Sequence, residues 1–308
     1  MQTVSQLDFL GKRKLAFIFS GLLVAASILS LCINGLNLGI DFTGGSVYEM
    51  HFNQSVDLTK MRDSFAERGF ADANVQHFGS SEEVLVRLKP ITAVNQQQLG
   101  QQVLDAANAS QTQPGELRRV EFVGPQVGDE LLDDGGLALL FAFIGVMIYV
   151  SVRFEWKFSV GAVLALVHDS VITLGFFSVF GWEFDMTVLS ALLAIIGYSI
   201  NDTIVVYDRI RENFRSSRVS SVDEVTNVAL NETLSRTLLT SFTVFLTVLA
   251  LVFLGGKTIH GFSVAMLIGV VVGTYSSIYV ASAIALALGL NKDDVMEIQR
   301  DNTIEDLP

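Results

Sequence analysis

Residues Gly197–Phe214 read GYSINDTIVVYDRIRENF, and they follow MTVLSALLAII, an apolar run without a single charge. Asn201 and Asp202 then sit side by side, four apolar or aromatic residues ahead of Asp208 and Arg209. A carboxylate this close to so long an apolar run forces a choice. Either the run is a buried helix of a soluble domain, or the chain places an acid inside a membrane.

The distribution of apolar residues decides. Composition alone does not, since 50% hydrophobic residues and a mean hydropathy of +0.48 lie near the ordinary globular range. Six blocks approach or exceed the roughly 18–20 apolar residues that cross a bilayer. They are Leu15–Ile33, Gly135–Val152, Phe158–Phe180, Met186–Tyr207, Thr237–Leu254 and Phe262–Leu290. The sequence therefore predicts an α-helical polytopic membrane protein with six transmembrane helices. Segments 1–14 and 291–308 flank the spans, 34–134 is a separate domain, and 135–290 holds helices two to six.

Lys and Arg set the expected orientation. Lys12, Arg13 and Lys14 precede span one, Arg153 and Lys157 lie between spans two and three, and Arg209, Arg211, Arg215 and Arg218 follow span four. The opposite loops are nearly bare, GWEFDM having no basic residue and GGKTIH only Lys257. Both termini are expected to be cytoplasmic and segment 34–134 extracytoplasmic. Span one has the basic start of a signal sequence, but it is long and lacks a clean small-x-small cleavage pattern, so it reads as an anchor. Cys32 is the single cysteine and excludes an intrachain disulfide.

Residues 41–134 carry fifteen acidic against seven basic side chains, which argues against nucleic acid as a partner. Within this segment SVYEMHF reads as a strand. DLTKMRDSFAERG reads as a helix capped by Asp57 and stopped by Gly69. NVQHF and EVLVRL are two strands across a Gly-Ser turn, NQQQLGQQVLDAANA a second helix, and ELRRVEFVG a last strand. That order, βαββαβ, predicts a small α+β ferredoxin-like extracytoplasmic domain. His51 and His77 have no chelating neighbours, and no phosphate loop, nucleophile elbow or zinc motif occurs, so neither an enzyme nor a metal site is expected.

The chemistry is expected inside the membrane, where an ionisable side chain costs several kcal/mol and is a functional candidate by default. Asp202 lies in span four with Tyr198 and Asn201 within a turn; His168 and Asp169 lie near the middle of span three; Arg236 opens span five. A carboxylate that alternately meets Arg and water changes its proton affinity with conformation, as a coupled transporter requires. Each charge falling through 100 mV supplies about 2.3 kcal/mol. The plainer alternative is structural: Asp202 pairs with Arg236 and His168 bonds to backbone, locking helices together. Small residues at Gly269, Gly273, Ser277, Ala281, Ala285 and Gly289 predict a packing face on span six; Ser190, Ala194 and Gly197 predict one on span four.

The chain resembles the SecD/SecF family of protein-export membrane proteins, in its SecF branch, within the resistance-nodulation-division superfamily. The resemblance is carried by GLNLGIDFTGGS (Gly35–Ser46), VEFVGPQVGDEL (Val120–Leu131), the His168–Asp169 pair, IGYSINDTIVVYDRIREN (Ile196–Asn213), NETLSRT ending at Thr237 and GTYSSIYVAS (Gly273–Ser282). It implies a half-pump in the bacterial inner membrane that works with a SecD-like subunit beside the Sec translocon. Such a machine would use the proton or sodium gradient to draw out a translocating preprotein, with no other cofactor. By motif match Asp202 would be the coupling carboxylate and Arg236 its basic counterpart, supported by His168 and Asp169. A small-solute exporter of the same superfamily would be expected to carry twelve spans and two large external domains on one chain. A scaffold without ion coupling is the other alternative.

Overall fold

The computed structural model describes residues 7–91, 96–216 and 221–291. Arg218, the segments 1–6 and 292–308, and Asn95 at the expected start of the second external helix lie outside them. Among the described residues, six helices are long and apolar enough to cross a membrane. They are α1 (Arg13–Asn34), α5 (Pro125–Arg153), α6 (Trp156–Phe180), α7 (Met186–Ser216), α8 (Val222–Leu254) and α9 (His260–Ser276), the last continued by a π turn, Ser277–Ala281, and by α10 (Ser282–Ala287). The chain is thus an α-helical polytopic membrane protein.

Burial sorts these helices into two shells. More than half of each apolar window in α6, α7 and α9–α10 is buried, whereas α1, α5 and α8 bury less than a fifth of theirs. The outer helices turn Leu22, Phe141, Leu239 and Phe253 outward, each more than 60% exposed. Water would penalise that surface; lipid does not. Inside, α6 and α10 approach closely at Gly161, where an added Cβ would lie 2.7 Å from the Ala281 carbonyl oxygen and 2.8 Å from the Tyr207 hydroxyl.

Three helices run past their apolar blocks. α5 begins at Pro125, well ahead of the apolar run from Gly135, with proline at the position where a missing N–H costs nothing. Its polar first turns pack on the short α2 (Ile40–Thr43), because Gly128 leaves room for the Phe42 carbonyl. α7 and α8 continue beyond Tyr207 and before Thr237 as a hairpin. There Glu232 accepts hydrogen bonds from Arg209 Nε and Asn213 Nδ2, both at 2.7 Å.

Between α1 and α5 lie β1 (Asn37–Leu38), α2, β2 (Gly45–His51), α3 (Leu58–Glu67), β3 (Asn74–Phe78), β4 (Ser80–Leu88), α4 (Gln96–Asn108) and β5 (Glu116–Val123). Asp57 caps α3 by accepting from the Thr59 and Lys60 amides. Strands β2 to β5 form one antiparallel sheet in the spatial order β3-β4-β2-β5. Alternation along the strands puts Tyr48, Met50, Val84 and Val86 against Phe65, Leu99 and Val103 of α3 and α4. The opposite face carries Val47, Leu85 and Arg87 and looks onto the membrane helices. Gly44 and Gly45, the glycines of DFTGGS, make the turn into β2 at φ of 66° and 128°. A Cβ there would strike the Pro125 backbone and the Leu88 carbonyl.

Four links hold this domain to the membrane part. β1 pairs in parallel with β6 (Glu183–Phe184), which joins α6 to α7. Asp41 accepts from the Met186 amide at 2.9 Å. Arg87 pairs with Glu183, and Lys257, from the α8–α9 loop, pairs with Glu83 and lies 4.0 Å from the Phe78 ring centroid. Between them a cleft of about 340 Å³ is lined by Asp41, Glu49, Arg87, Glu121, Glu183 and Lys257 among others. The hydrogen bond from Lys257 holds the Glu83 carboxyl below the ordinary carboxylate range, whereas burial pushes the Glu183 carboxyl up despite Arg87.

Two outcomes follow from this packing. Gly161→Ala should destabilise the membrane bundle by about 1–3 kcal/mol, since the clash is with rigid backbone, and heat resistance in detergent reads it. The Glu83–Lys257 contact is complete above the unfolded carboxylate value of about 4.3 and is lost as pH falls through the lower value of Glu83. Spin labels at Gln76 and Thr258, on the two sides of the cleft, should give a narrow distance distribution at pH 7 that broadens on acidification. Glu83→Gln should already be broad at pH 7.

Candidate functional site

Two acid-centred clusters occupy the membrane bundle, on adjacent sectors of α7. Successive helical residues are about 100° apart, so Ser199 and Thr203 share one sector while Tyr198 and Asp202 share the next.

The first cluster centres on Asp169, which is fully buried. Its Oδ1 lies 2.9 Å from His168 Nδ1, and its Oδ2 accepts from Ser199 Oγ of α7 and Ser276 Oγ of α9, both at 2.8 Å. Gly273 permits this approach, for a Cβ there would lie 3.2 Å from Ser199 and 3.5 Å from Asp169 Oδ2. The next hydroxyl along α9, Ser277, shares a 3.0 Å hydrogen bond with Thr203. The π turn starts at Ser277, and such turns loosen the regular helical ladder where side chains must be re-aimed.

The second cluster centres on Asp202, 3% exposed. Among the described residues it accepts one hydrogen bond, from Ser241 Oγ of α8 at 3.3 Å. Ser241 in turn accepts from the Tyr198 hydroxyl at 3.0 Å, and the Thr274 hydroxyl of α9 lies 2.8 Å away. A groove of about 980 Å³ between α8 and α9, walled by Leu234, Leu238, Phe242 and Phe245, reaches Ser241 and Thr274. Asp169 accepts three hydrogen bonds and Asp202 one, so Asp202 keeps the greater capacity for a proton or a cation.

The expected residues fall into place unevenly. Tyr198 and Asp202 are together, as are His168 and Asp169, but the two acids belong to different clusters. Arg236 is exposed on α8 and makes no ion pair with Asp202 among the described residues; Ser241 holds the carboxylate instead. Asn201 is exposed, turned away from its neighbour Asp202. Gly269 and Gly273 face α7, where a Cβ on Gly269 would overlap Ile195. Gly197 packs on nothing: a Cβ there has no neighbour within 4 Å, and Ser190, Ala194 and Asn201 on the same face are exposed too. Gly289 is likewise not a packing residue but a turn at φ 77° after α10. Sequence alone does not mark Ser199, Ser241, Thr274 and Ser276 as ligands of the acids, because a hydroxyl in an apolar helix satisfies itself on its own backbone as readily as across a gap.

Each hydroxyl on Asp169 is a hydrogen bond to a charged group, in the range of about 1.5–3 kcal/mol. Ser276→Ala should therefore lower the thermal resistance of the bundle more than Ser241→Ala, whose bond to Asp202 is longer.

The sequence matches the model of the protein export membrane protein SecD/SecF C-terminal family over residues 103–291, and the SecD/SecF GG motif over 29–56. It is 50% identical over 293 residues to the protein translocase subunit SecF of Vibrio alginolyticus, covering 95% of this chain and 93% of that one. It is 44% identical to the Pseudomonas aeruginosa subunit of the same name, covering 99% of each. The crystal structure of SecDF, a translocon-associated membrane protein from Thermus thermophilus, superposes with a TM-score of 0.82 at 38% identity. That match covers 94% of this chain but 39% of the SecDF chain. The chain belongs to the SecD/SecF family of protein export membrane proteins, as a SecF-type subunit of the Sec protein translocase.

Proposed function

We propose that the chain is the SecF half of a heteromeric machine that uses the proton or sodium gradient, with a SecD-like subunit beside the Sec translocon, to drive late stages of preprotein translocation. The termini lie in the cytoplasm and the sheet on the far side of the inner membrane, where the preprotein emerges. Asp202 is the coupling carboxylate, and Arg236 is the charge it meets in another conformation.

The observation that carries this reading is the state of Asp202: a carboxylate shut inside a six-span bundle, held among the described residues by one long hydrogen bond, next to a polar face that no described residue covers. Ser190 and Asn201 on α7 and Arg236, Thr243 and Thr247 on α8 are all exposed. The threonine hydroxyls bond to their own helix, at 2.8 and 3.0 Å, but no recorded hydrogen bond occupies the side chains of Asn201 and Arg236. Lipid is a costly neighbour for amide and guanidinium groups. A second membrane subunit supplies partners for them, and the SecDF neighbour, of which this chain spans 39%, has chain enough for one.

Asp202→Asn tests it, because the amide keeps shape and hydrogen-bonding capacity without the titratable charge. Abundance and gradient-driven export, measured in the same vesicles, should diverge: abundance holds while the gradient-stimulated component falls to that of vesicles without the protein. Arg236→Lys should also impair export, since an ammonium cannot reproduce the guanidinium fork. Normal export from a normally abundant Asp202→Asn protein would overturn the reading. Vesicles given only a proton or only a sodium gradient identify the ion.

A further inference from the structure

His168 is the middle residue of α6, so its imidazole lies as deep in the bundle as that helix can carry it. Its ring is 7% exposed, and its two nitrogens are unequally used. Nδ1 is 2.9 Å from Asp169 Oδ1, while Nε2 is buried without a hydrogen-bond partner. In the neutral ring, the contact with a carboxylate places the hydrogen on Nδ1 and the lone pair on Nε2. Asp169 meanwhile accepts three hydrogen bonds, from His168, Ser199 and Ser276. Of the polar atoms of this pair, Nε2 is the one buried without any partner among the described residues.

The charge count points the same way. The recorded partners of Asp169 from α7 and α9 are hydroxyls, not cations. The titratable group against the imidazole from α9 is Tyr275, stacked at 6.3 Å, with Tyr279 behind it at 5.3 Å. From α1 come the Ser20 hydroxyl and the Ala16 carbonyl, both bonded to the Tyr275 hydroxyl. Asp202 on α7 faces Ser241 of α8, and Arg236 has no recorded contact with the pair. With a neutral imidazole the cluster therefore carries an uncompensated negative charge at membrane depth, an expensive arrangement. One proton on Nε2 makes an imidazolium–carboxylate pair with no net charge.

We propose that His168 and Asp169 form a second proton-binding site, separate from Asp202, in which His168 Nε2 takes up the proton and Asp169 balances its charge. A hydronium ion gives up the proton and becomes water, so one N–H bond forms from the Nε2 lone pair, one O–H bond of the hydronium breaks, and no bond in the protein breaks. Asp169 stays a carboxylate, and its contact with Nδ1 becomes charge-assisted. Tyr275 relays the change: its ring faces the imidazole, whose charge strengthens the stack, and its hydroxyl holds α1 at Ala16 and Ser20. The occupancy of Nε2 thus bears on the packing of α1, α6 and α9 together.

The test is a ¹⁵N NMR titration of the full chain in lipid bilayers with labelled histidine. The chain has four histidines, and the spectrum of His168→Asn identifies the His168 signals. Between pH 9 and pH 5 the Nε2 signal should pass from an unprotonated ring nitrogen to an N–H, in one transition. Asp169→Asn removes the balancing charge and should displace the midpoint. Ser276→Ala leaves the charge but removes a donor, so it should displace the midpoint in the opposite sense; it also serves where Asp169→Asn does not assemble. An Nε2 that stays unprotonated throughout makes His168 a packing residue and overturns the proposal. A midpoint indifferent to both variants, or one displaced by sodium at constant ionic strength, overturns it as well. Asp202→Asn should leave the transition in place, so failure here does not touch the role given to Asp202, and failure there does not touch this site.

Discussion

The Asp169 carboxylate is the constraint on which the inner bundle depends. Its three hydrogen bonds come from its own helix, from α7 and from α9, so one buried anion fixes the rotation of all three inner helices at once. Apolar packing alone specifies such rotation weakly, because lipid competes for the same contacts and no hydrophobic force drives helices together inside a membrane. A directional bond to a charge does specify it. The small residues beside it are consequences: Gly273 is small because Ser199 and Asp169 occupy the space a Cβ would need.

α9 distributes the connections. Four consecutive residues reach four different partners: Thr274 meets Ser241, Tyr275 stacks on His168, Ser276 bonds to Asp169 and Ser277 to Thr203. Such a run sweeps most of a helical turn, which is useful only to a helix surrounded by others. The π turn begins at the last of the four and re-aims the chain toward Gly161 of α6. The two acid clusters therefore share α7 and α9 while differing in the third helix, α6 for Asp169 and α8 for Asp202.

Much of this was legible in the sequence. Six apolar blocks gave six spans, and the buried acids stood out because charge is rare at that depth. What escaped was whatever depends on where a helix faces. Ser190, Ala194, Gly197 and Asn201 look like the start of a packing stripe, but small residues also mark a face kept for another chain, and spacing cannot tell the two apart. Asn201 and Asp202 are neighbours in sequence and about 100° apart on the helix, so one is buried and the other exposed. The start of α5 was hidden because hydropathy marks where a helix enters lipid, whereas Pro125 and the contact at Gly128 mark where it begins.

The four-stranded sheet is tied to those same helices at their ends. α7 starts at Met186, whose amide is held by Asp41, directly after the β6 strand that pairs with β1 and carries Glu183. α9 starts three residues after Lys257, which is bound to Glu83 and Phe78 of the sheet. The two helices that share both acid clusters are thus both tied to the domain at their starts, as α5 is through Gly128 and α2. Helices are stiff along their axes, and packed interfaces rearrange in discrete steps more readily than they deform. On the proposed roles, a change in the charge at Asp202 or His168 that re-seats α7 against α9 would either move the sheet with them or break the Arg87–Glu183 and Lys257–Glu83 contacts. These contacts are few, polar and partly exposed, so each contributes at most about 1 kcal/mol and can be remade in a new register.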